Sequence, residues 1–287
     1  MKYLTSEIEA LSKNKNTKSL ARSNVSCGIF QDCDYNEERP KLYHEQKKEK
    51  IRSMKSVILL LMVSFLSFQK SSDKVLVFTK TEGFRHKSIE SGVQAIIELG
   101  KKHNFEVTHT GNSEMFSNKN LKQYDLVLFL NTTGDALNEK EEMAFKKFIN
   151  KGGSFMGIHA ASDTEYEWSW FGKLVGAYFL NHPEKCEAII DRVDKKHQST
   201  KHLPEQWKRY DEWYNFKSIS ENINVLLTLD ESSYKGGENG SFHPIAWCQE
   251  FDGGRSFYTA LGHTKESYSE PEFRQHILGG ILYCLKR

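Results

Sequence analysis

Histidines and carboxylates in this 287-residue chain recur beside glycines and aromatic residues, at places where short apolar runs end. The most pointed case is GGSFMGIHAASD, residues 152–163. Two glycines lead into an apolar run that stops at Gly157, and His159 follows between Ile158 and a pair of alanines. The pattern reads as a strand ending in a tight turn that opens a helix. α/β enzymes often present a nucleophilic Ser or Cys at such a turn. An imidazole there can act near neutral pH as an acid, a base or a metal ligand.

Other chemistry-bearing residues fall in comparable positions. TKTEGFRHKSI places Lys80, Glu82, Arg85 and His86 after the first expected strand, and Ser162 and Asp163 follow the opening stretch. A parallel sheet brings such loops to one edge, so His86 and His159 can meet despite their separation in sequence. Further polar groups sit among aromatics: Asn181 and His182 in YFLNHPE, Asp211, Glu212 and Tyr214 in RYDEWYNF, His243 and Trp247 in SFHPIAW, and His263, Thr264 and Tyr268 in TALGHTKESY. Aromatic walls with a few convergent hydrogen-bonding groups suit a sugar, whose ring face stacks while its hydroxyls pair. The plainer reading is that a histidine at a strand end caps a helix or satisfies a buried carbonyl. For His86, His182, His202 and His243 both readings stay open. His103, His109, His197 and His276 are expected to be structural, and Trp168, Trp170 and Phe171 to pack in the core.

Several function classes lose support. Neither GxGxxG nor a P-loop is present, so dinucleotide and nucleoside triphosphate binding have no basis. The five cysteines show no CxxC spacing and read as buried or free thiols. A formal charge of +2 gives no sign of nucleic acid or anionic membranes as partners.

The elements that must position these residues alternate from Lys74 onward. KVLVFT (74–79), FEVTHT (105–110), YDLVLFLNT (124–132) and SFMGIH (154–159) read as strands. The third is nearly all apolar, as expected when both sheet faces are covered. Residues 86–103 read as a helix with apolar spacings of three and four, and 138–153 as one with acids early and lysines late. This order predicts a parallel, doubly wound sheet. Beyond it, 186–193 and 223–233 read as strands, 203–216 starts as a short helix with Pro in its first turn, 243–263 is a hairpin through Asp252-Gly253-Gly254, and 270–286 closes as a helix. A single domain with an antiparallel extension over 74–287 is expected.

Residues 1–53 are rich in Lys, Asn, Ser and Glu, and read as disordered chain or as a non-native extension. The apolar run from Val57 to Phe68 follows Met54 and Lys55 and is shorter than the roughly 20 residues that span a bilayer. It fits a signal peptide over 54–73 with Met54 as the true start. A signal anchor with a cytoplasmic tail is the alternative. The first reading predicts a periplasmic or secreted protein with no stable membrane span in its mature form.

Taken together, KVLVFTKTEGFRHKSI, GGSFMGIHAASDTEYEW, GKLVGAYFLNHP, RYDEWYNF, VLLTLDESSY, HPIAWCQEFDGGRSFYTALGHTKESY and HILGGILY resemble the ThuA-like family, associated with trehalose utilisation. The resemblance runs from about Lys74 to Leu285. It implies the fold of class I glutamine amidotransferases: a flavodoxin-like three-layer α/β/α sandwich with a parallel central sheet and, here, an antiparallel C-terminal extension. In those enzymes the elbow carries a cysteine within G-x-C-x-G. The matching residues here are Gly157, Ile158, His159, Ala160 and Ala161, so no glutaminase activity is expected. The family's association with sugar 3-dehydrogenases implies 3-keto-glycosides, such as oxidised trehalose, as substrates for enolisation, elimination or hydrolysis. On that reading His159 is the base, Glu212 and His263 supply or orient the acid, and His86 with Arg85 stabilises the oxyanion. Asp163, His182, Tyr214, His243, Trp247 and Tyr268 are expected to bind the sugar. A divalent metal such as zinc enters if two or three of His159, His182 and His263 converge. The alternative is a non-catalytic carbohydrate-binding protein that keeps the same pocket.

Overall fold

The computed structural model describes residues 45–54 and 72–287. The chain divides into two compact units, 1–69 and 70–287. In the first, residues 45–54 form an exposed helix where solvated, unstructured chain was expected. Glu, Gln, Lys and Arg are straight-chain residues with little to lose in a helix, which explains the difference. The expected leader at 54–73 lies almost wholly outside the described residues. No helix among the described residues is long and apolar enough to cross a membrane.

The second unit is built on one nine-stranded sheet. Its parallel half contains β1 (Asp73–Phe78), β2 (Phe105–Thr110), β3 (Leu126–Leu130) and β4 (Ser154–Ile158), in the order β2-β1-β3-β4. Every residue of β3 and β4 is buried. These strands therefore lack the polar alternation of a sheet with one wet face. Helices α1 (Ile89–His103), α2 (Asn118–Leu121), α3 (Glu139–Asn150), α4 (Ser169–Val175) and α5 (Pro271–Cys284) cover both faces. On one face Phe129 and Phe155 meet Phe145 of α3 and Phe171 of α4, with ring centroids 5.4 to 6.2 Å apart. On the other, Gly92 of α1 lies against Leu130, and Gly280 of α5 against Phe257. The start of α3 is fixed by a capping box: Asn138 accepts from the backbone of Glu141, whose side chain accepts from the Asn138 backbone.

The antiparallel extension is β6 (Cys186–Arg192), β7 (Gln206–Asp211), β9 (Asn224–Asp230), β10 (Pro244–Phe251) and β11 (Gly254–Thr259), while β5 (Tyr178–Asn181) pairs with β8 (Asn215–Lys217) in a separate ribbon. β11 runs parallel to β4, and β10, β9, β6 and β7 follow in order, each antiparallel to the last. The fold is thus the expected α/β sandwich with an antiparallel extension. One element differs. The expected helix at the start of 203–216 is strand β7, in which Trp207, Arg209 and Asp211 point inward and alternate with exposed Gln206, Lys208 and Tyr210. Two of the inward residues are charged, so the period of two is hidden from any apolar pattern. Arg209 and Asp211 are tolerated there because they pair at 3.2 Å.

Candidate active site

Four strand ends supply the site. His86 comes from the loop after β1, His159 from the residue after β4, His263 from the loop after β11, and Glu212 from the residue after β7. β7 is five places from β4 in the sheet order, so the extension must fold back to bring Glu212 in. Asp211 fixes that return: its carboxylate accepts from the backbone N–H of Gly262 at 3.0 Å and of His263 at 3.1 Å. Gly262 has φ of +109, and a Cβ there would press on the Tyr268 hydroxyl at 2.8 Å. Only glycine suits this bend.

The elbow itself is strained. His159 has φ of +51, a left-handed conformation costly for a residue with a Cβ. Its carbonyl is held by the Tyr258 hydroxyl at 2.7 Å, and a short 3-10 turn, His159–Asp163, follows. Gly157 permits the tight approach, since a Cβ there would lie 3.0 Å from both Ala161 and Tyr258.

The side chains then converge. His159 Nδ1 lies 2.7 Å from the carbonyl of Ala260. A carbonyl only accepts, so Nδ1 carries the proton and Nε2 of the neutral ring presents a lone pair. That Nε2 faces His263 Nδ1 at 3.2 Å and Glu212 Oε2 at 3.4 Å. His263 Nδ1 is in turn 2.9 Å from the same Glu212 oxygen. The His86 ring stands edge-on to both imidazoles, with centroids 4.9 Å from His159 and 5.1 Å from His263. Among the described residues, His86 Nδ1 is buried without a hydrogen-bond partner. Tyr214 stacks on His159 at 4.2 Å, closing its far side.

Electrostatics follow from this crowding. Burial, reinforced by the neighbouring His159 and His263, pushes His86 down to about 2, so its ring is neutral. Burial would raise Glu212, but the two imidazoles beside it, His159 and His263, outweigh it and hold the carboxyl well below its ordinary value. Burial raises Asp163, opposed by the Tyr166 hydroxyl that donates to it at 2.6 Å.

A cavity of about 450 Å³ opens over this cluster, walled by Phe84, His86, Asp163, Phe179, His182, Pro183, Glu184, Lys185, Glu212, Tyr214 and His263. Six of the residues expected at the site therefore border one space: His86, Asp163, His182, Glu212, Tyr214 and His263. His182 is half exposed, approaches Glu212 at 3.5 Å, and has Nδ1 engaged by the Pro183 carbonyl at 2.9 Å, which leaves Nε2 as its accepting nitrogen.

Five placements differ from expectation. His159 is wholly buried and does not border the cavity, so it reaches that space only through Glu212 and His263. Trp247 is also wholly buried; its indole N–H donates to the Val175 carbonyl, and its ring packs on Tyr258. Tyr268 is buried and donates to the carbonyl of Gly262, which makes it a prop for the His263 loop. His243 is buried between Glu231 at 2.7 Å and the carbonyl of Tyr214 at 2.8 Å. Arg85 points along the surface to Glu90 and not into the cavity. His202 bonds the carbonyl of Glu272 and lies outside the cavity wall. Sequence reasoning missed Phe84, Phe179, Pro183, Glu184 and Lys185 on the wall, and the role of Asp211 behind it. Phe84 had a signal in its place two residues before His86; the others had none beyond proximity to His182.

The atoms able to ligate a metal are His86, His159, Glu212 and His263, whose ligand atoms all lie within 4.8 Å of one another. His182, expected in such a set, is not among them.

The family model for ThuA, described as trehalose utilisation, matches residues 74–284. No curated protein sequence matches the chain. Among solved structures, a putative ThuA-like protein from Bacteroides uniformis superposes with a TM-score of 0.64 at 21% identity, covering 75% of this chain and 92% of that one. One from Parabacteroides merdae gives 0.62 at 20%, covering 75% and 90%. A β-galactosidase from Rahnella sp. R3 gives 0.53 at 13%, covering 76% of this chain and 32% of that one. At these identities the structures speak for the fold alone; the family model, matched across the whole described α/β unit, shows that this chain belongs to the ThuA family.

Proposed function

We propose that the chain is an enzyme acting on 3-keto-glycosides such as oxidised trehalose, by enolisation followed by elimination or hydrolysis. The observation that carries the reading is the convergence of His86, His263 and Glu212, backed by His159, on a cavity of about 450 Å³ that His182 also borders. The family's description as trehalose utilisation supports a sugar as the ligand.

A carbonyl at carbon 3 acidifies the hydrogen on carbon 2. His182 Nε2, half exposed and with its tautomer set by Pro183, takes that proton. The electron pair forms an enediolate whose oxygen meets the imidazoles of His86 and His263. Collapse forms the carbon 1–carbon 2 double bond and breaks the bond from carbon 1 to the glycosidic oxygen. That oxygen leaves with a proton from Asp163, whose carboxyl burial raises above its ordinary value. Addition of water to the unsaturated ketone completes net hydrolysis. Phe84, Phe179 and Tyr214 supply apolar surface for sugar faces. A sugar 3-dehydrogenase would supply the ketone, and the apolar run from Val57 to Phe68 supports an exported protein. Purified protein incubated with 3-keto-trehalose is expected to release glucose; unchanged substrate overturns the reading.

A further inference from the structure

We infer that His86, His159, His263 and Glu212 form a binding site for a divalent transition metal of the zinc class. Three separations frame it: Glu212 Oε2 to His263 Nδ1 at 2.9 Å, His159 Nε2 to His263 Nδ1 at 3.2 Å, and His159 Nε2 to Glu212 Oε2 at 3.4 Å. Ligands about 2.0–2.1 Å from a tetrahedral ion stand about 3.3 Å from each other. These three atoms thus already form a triangle of nearly the right size, and a ring nitrogen of His86 completes the set within 4.8 Å.

Proton accounting points the same way. The Ala260 carbonyl accepts from His159 Nδ1, so Nε2 is the nitrogen turned toward a carboxylate oxygen and a second imidazole nitrogen. A backbone carbonyl holding the remote nitrogen of a ligating histidine is the usual outer support of a metal site. His86 adds an independent sign: it is 4% exposed, and its Nδ1 has no hydrogen-bond partner among the described residues. A buried imidazole nitrogen without a partner costs free energy unless something occupies the space beside it.

The donor set selects the ion. Three imidazoles and one carboxylate favour zinc, cobalt or nickel over magnesium or calcium, which prefer all-oxygen shells. Among the described residues a second cluster, Asp135, Glu142 and Glu165, offers only oxygen atoms. The metal site is argued from ligand geometry and does not rest on the 3-keto-glycoside reading. If both hold, the ion supplies the electrophile for the enediolate oxygen.

The test uses the full chain, stripped with a chelator and titrated with Co²⁺ while visible absorption is followed, then with Zn²⁺ in competition. One Co²⁺ per chain with the intense d–d bands of a four- or five-coordinate nitrogen-rich site is expected, displaced by Zn²⁺. Absence of those bands in the folded wild type overturns the site, whatever the variants do. His263→Gln is expected to weaken Co²⁺ binding at least tenfold, and Glu142→Gln to leave it unchanged, with circular dichroism as the folding control. The reverse order would assign the ion to the carboxylate cluster and overturn the proposal. Metal bound without turnover of a 3-keto-glycoside would overturn the reaction and leave the site standing; turnover by metal-free protein that binds no Co²⁺ would do the opposite.

Discussion

Two groups of buried histidines in this molecule do different work. His276 and His243 lie deep in the fold with both ring nitrogens engaged. His276 meets the carbonyl of Ser199 at 2.9 Å and the hydroxyl of Thr259 at 3.1 Å. His243 bridges Glu231 and the carbonyl of Tyr214. His86 and His159 are as deeply buried, and His263 partly so, yet they crowd nitrogens against one another and one carboxylate, and among the described residues His86 Nδ1 has no partner. Burial is common to both groups, so burial alone does not mark function. Satisfied hydrogen bonding marks the histidines that hold the fold, and convergent, incompletely paired nitrogens mark those that face chemistry.

The contrast can be broken by mutation. The largest expected effect is on turnover. Glu212→Gln removes the charge that positions the imidazoles of His159 and His263, and kcat for a 3-keto-glycoside should fall by about 10²-fold or more, as expected when groups that meet the reacting atoms are misplaced. Circular dichroism should show the variant folded; activity within about threefold of wild type would erase the distinction between the two groups.

His276→Ala should behave in the opposite way. It strands the Ser199 carbonyl and Thr259 hydroxyl in the core and leaves a void, for a loss of about 2–4 kcal/mol in denaturant unfolding. Rate per folded molecule should hardly change. A stable but inactive variant would place His276 in the chemistry.

Acid should single out the same residue. Burial lowers His276 to about 3, so it is neutral in the fold and protonates near pH 6.5 once the chain unfolds. Between those values the unfolded state binds the extra proton. Stability from this group is therefore complete above about pH 6.5 and falls as pH drops, with a slope of about 1.4 kcal/mol per pH unit. Replacing it by Asn, which keeps a donor and does not titrate, should remove that slope from unfolding curves taken between pH 7 and 5. An unchanged slope would mean that His276 does not titrate as its burial requires.

The smallest effect belongs to a residue outside both groups. Arg85 pairs with Glu90 on the surface at 2.7 Å. Arg85→Ala should change stability by under about 1 kcal/mol. A Michaelis constant altered more than about threefold would bring Arg85 back to the substrate.

Much of this was legible in the chain. Continuous apolar runs announced β1, β3 and β4, because strands covered on both faces need no polar alternation. The glycines and alanines around His159 announced the elbow, because only small side chains allow the turn. The inward pair Arg209 and Asp211 hid β7, since a strand whose buried residues are charged does not look amphipathic. That error also concealed why Glu212 reaches the site: Asp211, at the end of β7, holds the His263 loop. Aromatic context misled in the other direction. Trp247 and Tyr268 stand beside polar residues in sequence, but strand and turn direction send them into the core. His159 shows the limit of motif reading: the elbow was visible, but the layer of Glu212 and His263 between it and the cavity comes from residues 53 and 104 positions away.

On the proposed function the cluster beneath the cavity, and not the satisfied histidines of the core, performs the chemistry. Glucose release from 3-keto-trehalose by wild type, Glu212→Gln and His276→Asn, normalised to folded protein, tests it most directly. Release by wild type, a loss of about 100-fold or more in Glu212→Gln, and a near wild-type rate in His276→Asn are expected. No release by folded wild type, or equal rates in wild type and Glu212→Gln, would contradict it.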